Sequence, residues 1–271
     1  MKLIDRQESE KLLSIGLELG AYKIRLAQND QDRDNVFKMR YMVFNEELGE
    51  GIPENAATQR DIDHFDTFCD HLIVERDNVP IGTYRLLHGQ KSIASGGFYS
   101  ETEFTLRNLP INFNDAVEMG RACVLPEHRK TATLICLLCG VRHYSNLKDA
   151  KYLFGLTSLA KMSHGDALAT YEQVQKLGLL THYKGVEPLD VMKVPAGTVS
   201  SQNPQIPALL SVYFEIGAKV CAMPAYDPIF QCHDLLTLID IEAIPEKTWI
   251  FFQKFIKRQA REEKREDPTK K

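Results

Sequence analysis

The chain has 271 residues, 44% of them apolar and 26% charged, with a formal net charge of −4. That length suits one large domain, and the charge gives no general attraction to nucleic acid. No run of about 18 apolar residues occurs, and the start, MKLIDRQESEKLL, lacks a continuous apolar stretch of signal-peptide type, which together predict a cytoplasmic chain with no spanning helix.

Residues 22–27, YKIRLA, alternate apolar and basic and predict a half-buried strand. Asp34 reads as the cap of a following helix, VFKMRYMVFNEEL, with Val36, Met39, Val43 and Phe44 as its apolar stripe. Arg40 falls inside that stripe, so it either snorkels to the helix edge or reaches an internal acid or ligand. The polar stretch GIPENAATQRDIDHFDTFCD is too long for a plain turn and reads as a functional loop. HLIVER (71–76) and PIGTYRLL (80–87) flank an Asp-Asn turn and predict a hairpin. Ser100 with Glu103 fits a capping box.

Strands are then expected at about 116–124, 152–159 and 234–241, and helices at about 132–146, 166–177 (ended by Gly178) and PALLSVYFEIG. The order is mixed, with a hairpin early and strand–helix–strand later. That predicts α/β architecture around a mixed sheet, as a single domain with a core of about 22–242 and a charged C-terminal helix or tail at about 246–271.

Without a secretion signal the six cysteines read as reduced thiols. Cys136, Cys139 and His143 would share one helical face, as a metal site would need. Their setting, TLICLLCGV, favours cysteine as a small buried hydrophobe, and no metal is expected.

The segment AVEMGRACVLPEHR (116–129) poses a sharper question. Glu118 and Arg121 lie three residues apart in a mostly apolar strand, where such side chains point to opposite faces. A bulge at Gly120 would turn both toward one cleft and free backbone N–H groups for a ligand. An internal salt bridge or an edge strand with a solvated face is the other reading.

EMGRACVLPEHR, a helix and then YLFGLTSL resemble the centre of a GNAT-type N-acyltransferase. In that fold a bulged strand and its neighbour splay apart around a pantetheine arm, here beside Val124. Arg40-x-x-x-Phe44, Asp63-x-x-Asp66, Arg85 and Glu118-x-x-Arg121 are similar to the signature of acyl-homoserine-lactone synthases. The tryptophan that signature places after the first helix is absent, since the sole tryptophan is Trp249. GGFYSETEF, EMGRACVLPEHR and the run from PALLSVYF to LLTLIDI resemble more closely the hemolysin-like group containing bacterial ornithine-lipid N-acyltransferases and long-chain N-acyl amino acid synthases. The likeness covers roughly residues 35–242.

The resemblance implies transfer of a fatty acyl group from an acyl carrier protein thioester to the amine of an ornithine- or glycine-like amino acid. No cofactor is implied beyond the acyl carrier protein or acyl-coenzyme A co-substrate. Glu118 would take the amine proton, and a freed N–H near 121–123 would polarise the carbonyl. Arg40, Arg85 and Arg121 compete to hold the acceptor carboxylate, and some of them would pair instead with Asp63, Asp66 or Glu118. Where coenzyme-A-dependent relatives have a glycine-rich pyrophosphate loop, residues 129–134 (RKTATL) carry no glycine, as a carrier-protein donor allows. His128, Arg129, Lys130 and Arg142 form either a basic cluster for an acidic carrier protein or ordinary solvated charges. Cys123 is a candidate nucleophile or a buried thiol.

Two rivals remain at this stage, a lactone synthase and a non-catalytic acyl- or lipid-binding module. The tail adds a further pair of readings. Trp249, Ile250, Phe252, Phe255 and Ile256 lead into a basic stretch, 254–271, that begins among them. Either that face packs on the domain, or it makes peripheral contact with the inner face of an anionic membrane.

Overall fold

The computed structural model of the chain describes residues 6–266, and the side chains in that span except Leu13 and 259–266. The distal part of the predicted basic tail, 267–271, lies outside the described residues. In chain order the elements are α1 (Arg6–Ser14), β1 (Leu17–Leu19), β2 (Tyr22–Leu26), α2 (Asp30–Tyr41), β3 (Asp70–Arg76), β4 (Val79–His88) and β5 (Phe104–Thr105). There follow β6 (Ala116–Val124), α3 (Thr131–Leu147), β7 (Tyr152–Leu159), α4 (His164–Lys176) and β8 (Glu187–Pro188). The last are α5 (Ala208–Glu215), β9 (Lys219–Val220), β10 (Ala225–Asp227), β11 (Cys232–Asp240) and α6 (Glu246–Glu266). The fold class is the expected one, mixed α/β with mostly antiparallel strands flanked by helices.

The chain forms two compact units and passes from one to the other inside β4, at Leu86/Leu87, and inside β6, at Gly120/Arg121. The first unit comprises residues 1–86, 121–150 and 245–271. In it β1, β2, β3 and β4 are joined antiparallel, and the end of β6 meets β4 where the Leu125 N–H donates to the Ile81 carbonyl. β2 buries Tyr22, Ile24 and Leu26 and leaves Lys23 and Arg25 half-buried, which is the period of two that its sequence shows. β3 buries Leu72, Ile73 and Val74 in succession, as a strand covered on both faces does. Asp77 and Asn78, both at positive φ (51° and 63°), close the β3–β4 hairpin in the backbone conformation that right-twisted strands prefer. Helix α3 packs on β2 and β3 so closely that a Cβ on Gly140 would overlap Leu72 and Ile24.

Helix α2 begins five residues earlier than Asp34 as a cap would place it. Asn29 is the N-cap and accepts the Asp32 N–H (2.9 Å), while Asp34 pairs with Lys38 and Arg60. Helix α6 docks Trp249, Phe252 and Ile256 into the first unit, so this face of the C-terminal segment belongs to the core. Among the described residues no helix is long and apolar enough to cross a membrane.

The second unit comprises residues 87–120 and 151–244. β7 and β11 run antiparallel over eight residue pairs, with β9 and β10 added to β11. β6 runs parallel to β7, but the ladder covers only Ala116–Glu118 against Tyr152–Phe154 although both strands continue. Gly155 lets the two backbones approach there, because a Cβ would overlap the Met119 carbonyl oxygen. Ala167, Tyr171 and Val174 of α4, Leu210 of α5, and Leu159, Val220 and Leu235 form this unit's core.

Candidate active site

β6 departs from regular conformation one residue later than its sequence suggests. The break in regular conformation falls on Arg121 (φ 51°), and Gly120 is not among the glycines at positive φ. A left-handed conformation costs a non-glycine residue about 1–2 kcal/mol, so surrounding contacts must hold it. They do. Arg121 Nη2 donates to Asp63 Oδ2 at 3.3 Å, and Nε lies 3.4 Å from Asp61 Oδ1.

These contacts belong to a buried network of three arginines and three aspartates in the first unit. Arg40, fully buried, donates through Nε to Asp61 Oδ1 (2.7 Å) and through Nη1 to Asp66 Oδ1 (2.7 Å), and its Nη2 reaches both acids. Arg85 Nη1 donates to both oxygens of Asp63 (2.6 Å each) and approaches Asp66 Oδ1 at 3.4 Å. Asp63 also caps a short 3₁₀ turn, His64–Thr67: its Oδ1 accepts the Phe65 N–H, and its own N–H donates to Asp66 Oδ2. The turn in the long polar loop therefore aims two of the three acids.

Burial alone would push the Asp63 and Asp66 carboxyls up, but the neighbouring guanidinium groups more than offset it and hold both below the usual carboxylate range. His71, edge-on to Phe37 and 3.9 Å from Asp66, is pushed down to about 4, mainly by burial and then by Arg40 and Arg85 against the pull of Asp66. Burial and two of the network's guanidinium groups thus oppose protonation of this imidazole.

Of the three arginines considered for the acceptor carboxylate, Arg40 and Arg85 are enclosed and occupied by aspartates. Arg121 and Asp63, each with 12% of its side chain exposed, form the accessible edge. Asp61, which completes Arg40's pairing, was missed by sequence reasoning. Its signal was the excess of acid in DIDHFD, three aspartates where the motif uses two.

Glu118 lies in the second unit and is held differently. Its Oε1 accepts the Ser100 N–H (2.7 Å) and the Ser100 hydroxyl (2.6 Å), and Oε2 accepts the Tyr99 N–H (2.9 Å). Ser100 therefore serves Glu118 rather than a capping box with Glu103, and it is Glu101 that accepts the Phe98 N–H. Phe154 packs edge to face against both Phe98 and Phe113, which are tilted against each other, with centroids 4.9–5.7 Å apart.

The remaining candidates separate. Cys123 is buried with Met39 and Val43, against Phe44, Leu48 and Leu125, and burial pushes its thiol up to about 12. A thiol so protonated is a core group, not a nucleophile. Phe44 sits in the π-helical turn Met42–Leu48 and serves that same cluster. Val124 contributes its carbonyl to Arg129 Nε (3.1 Å), and its side chain packs close to Gly82.

The basic cluster needs revision. Arg129 is gripped by Glu47 through both terminal nitrogens (2.5 Å each), while Lys130 is exposed at the N-cap of α3 and His128 is half-buried. Arg142 lies about 20 Å further along. It stacks on Trp249 with 5.9 Å from guanidinium carbon to ring centroid, and so is no part of that group. Cys136 and Cys139 are buried in α3, and His143 shares a hydrogen bond with Ser9 (3.1 Å), which suits core packing.

Comparison with known proteins places this arrangement. Residues 39–139 match the model of the acetyltransferase (GNAT) domain, a span that contains every member of the buried network. An L-ornithine N(alpha)-acyltransferase of Rhizobium meliloti (strain 1021) is 30% identical over 243 residues, covering 81% of this chain and 80% of that relative. The chain belongs to this family of GNAT-type N-acyltransferases. A further member, the L-ornithine N(alpha)-acyltransferase of Agrobacterium fabrum, is 29% identical over 260 residues, or 88% of this chain and 86% of that one. Among solved structures, the coenzyme-A-dependent acyl-homoserine lactone synthase BjaI is similar with a TM-score of 0.51 at 12% identity, covering 87% of the acyltransferase and 89% of BjaI. At that identity the likeness is one of fold.

Proposed function

We propose that this acyltransferase moves a long acyl chain from an acyl carrier protein thioester to the α-amine of ornithine or a close analogue. The observation that carries the reading is the Asp63–Arg121 edge of an otherwise enclosed network, in a chain similar over four-fifths of its length to enzymes named for ornithine. An α-amino acid is a zwitterion. A guanidinium for its carboxylate and a carboxylate for its ammonium are the complement it needs, and an internally balanced network can receive it without stranding a charge.

In the proposed reaction the ammonium first gives a proton to a base, for which Glu118, three residues before Arg121 in the sequence, is the candidate. The amine lone pair then attacks the thioester carbonyl carbon, the C–S bond breaks, and the carrier thiol leaves with a proton as the amide forms. The N–H groups of residues 121–123, where left-handed Arg121 interrupts the strand, are the proposed donors to the oxyanion. The absence of glycine from 129–134 and the uncapped start of α3 support a donor with one phosphodiester.

The test is turnover of purified protein with matched acyl carrier protein and acyl-coenzyme A thioesters against a panel of amino acids, read by mass spectrometry. The expected product is N-acylornithine, with the carrier-protein donor favoured in kcat/KM. Better use of glycine would overturn the acceptor, equal use of both donors would overturn the carrier-protein reading, and no thioester turnover would leave a binding module.

A further inference from the structure

Helix α6 has a second face that the docked one does not explain. With Trp249, Phe252 and Ile256 buried, the opposite stripe at spacings of four, three and four is Lys247, Phe251, Lys254 and Arg258. Phe251 is 61% exposed at the centre of these three cations, and Ile250 (46% exposed) and half-buried Phe255 flank it. The Arg258 guanidinium lies over the Phe255 ring at 5.9 Å, and Lys257 stands beside Ile250 on the wheel. Exposed Phe251 and Ile250 set among these cations form the apolar-and-basic pairing that an anionic, apolar-backed surface complements.

We infer that this stripe docks the protein on the surface of an anionic lipid bilayer. Phe251 and Ile250 would enter the acyl boundary, and Lys247, Lys254, Lys257 and Arg258 would meet the headgroups. The chemistry favours this occupant over two others. A second copy of the same helix would bring Lys247, Lys254 and Arg258 against themselves. A nucleic acid offers no apolar layer for Ile250, which a bilayer takes into its acyl boundary. The inference uses only α6 and stands apart from the acyl-transfer reading.

The experiment is co-sedimentation of the full chain with vesicles of phosphatidylcholine alone or with about 30% phosphatidylglycerol. Comparison proteins are Phe251→Ser and the triple variant Lys247→Glu, Lys254→Glu, Arg258→Glu, with thermal melts and light scattering on each. Binding is expected to anionic vesicles only. It should weaken as salt screens the surface, fall about tenfold or more in Phe251→Ser and vanish in the triple variant, with melting temperatures unchanged. The inference fails if the intact chain does not pellet at low salt, or if neutral vesicles serve as well. It fails equally if Phe251→Ser binds as before, lowers the melting temperature, or dissociates a dimer seen in the parent.

Discussion

In the first unit Asp61, Asp63 and Asp66 are buried against guanidinium groups, whereas in the second Glu118 is held by two N–H groups and a hydroxyl. Both arrangements keep an acid inside a protein, and they fail in different ways. Removing one arginine strands a charge whose partners cannot leave. Removing the charge of Glu118 leaves these N–H and hydroxyl donors as neutral dipoles, which lose less than a stranded charge. The ionic device suits a rigid frame, and the dipolar one leaves room for the proton exchange proposed for Glu118.

The widest separation should come from Arg40→Met. It leaves Asp61 without its main partner and Asp66 with the more distant Arg85 guanidinium and the Asp63 N–H, and breaking a buried ion pair costs about 3–5 kcal/mol. Urea denaturation should show that loss with the m-value kept. Arg40→Met combined with Asp61→Asn should recover part of it, and a loss below about 1 kcal/mol would mean that the network does not carry the frame.

His71 sharpens the contrast through pH. Its folded value is depressed from 6.5 to about 4, so between those limits the unfolded chain binds the extra proton. Stability from this group is therefore complete above about 6.5 and lost as pH falls toward 4, by up to ~3 kcal/mol. His143 and His233, also pushed down to about 4 chiefly by burial, act in the same direction. His71→Gln should flatten the curve of stability against pH in that window, leaving the slope due to the other two. An unchanged slope would show that His71 is solvated.

How much of this was legible in the sequence follows from the same contrast. Arg40, Asp63, Asp66, Arg85 and Arg121 could be found because charged side chains in apolar settings are visible as letters. The partners of Glu118 could not, because two of them are backbone N–H groups. A turn formed by Tyr99–Thr102 has no letter for its N–H directions, and the Ser-x-x-Glu pattern there suggested the wrong bond. The long strands and helices were legible from apolar period. The short strands β1, β5, β8, β9 and β10 were not, since two or three residues carry no period. The break in β6 was foreseen one residue early because glycine is the usual occupant of a left-handed site, and here ion pairs to Asp61 and Asp63 hold an arginine in it.

Glu118→Gln tests the dipolar side. The new amide would set an N–H₂ against one of the three donors, which should lower stability by about 1–3 kcal/mol. Acyl transfer should fall about 10²-fold or more if Glu118 takes the amine proton. Raising the pH, which supplies neutral amine from solution, should then restore part of kcat in the variant but not in the parent. A loss of activity that pH does not mend would make Glu118 a positioning residue for the Tyr99–Ser100 turn.

The smallest effect concerns Arg129, whose pairing with Glu47 is half exposed, unlike the enclosed network a few residues away. Exposed pairs contribute about 0–1 kcal/mol, so neither Glu47→Gln nor Arg129→Gln should move the melting curve far. Their effect on the donor should diverge in sign. Glu47→Gln releases a guanidinium beside exposed Lys130 and should lower KM for an acidic carrier protein, while Arg129→Gln should raise it, each by a few-fold and less so at high salt. Acyl-coenzyme A, with no acidic protein surface to steer, should respond less to either change. If both variants shift the two donors alike, the surface at 128–130 reads phosphate alone, and a carrier protein needs some other face of the enzyme.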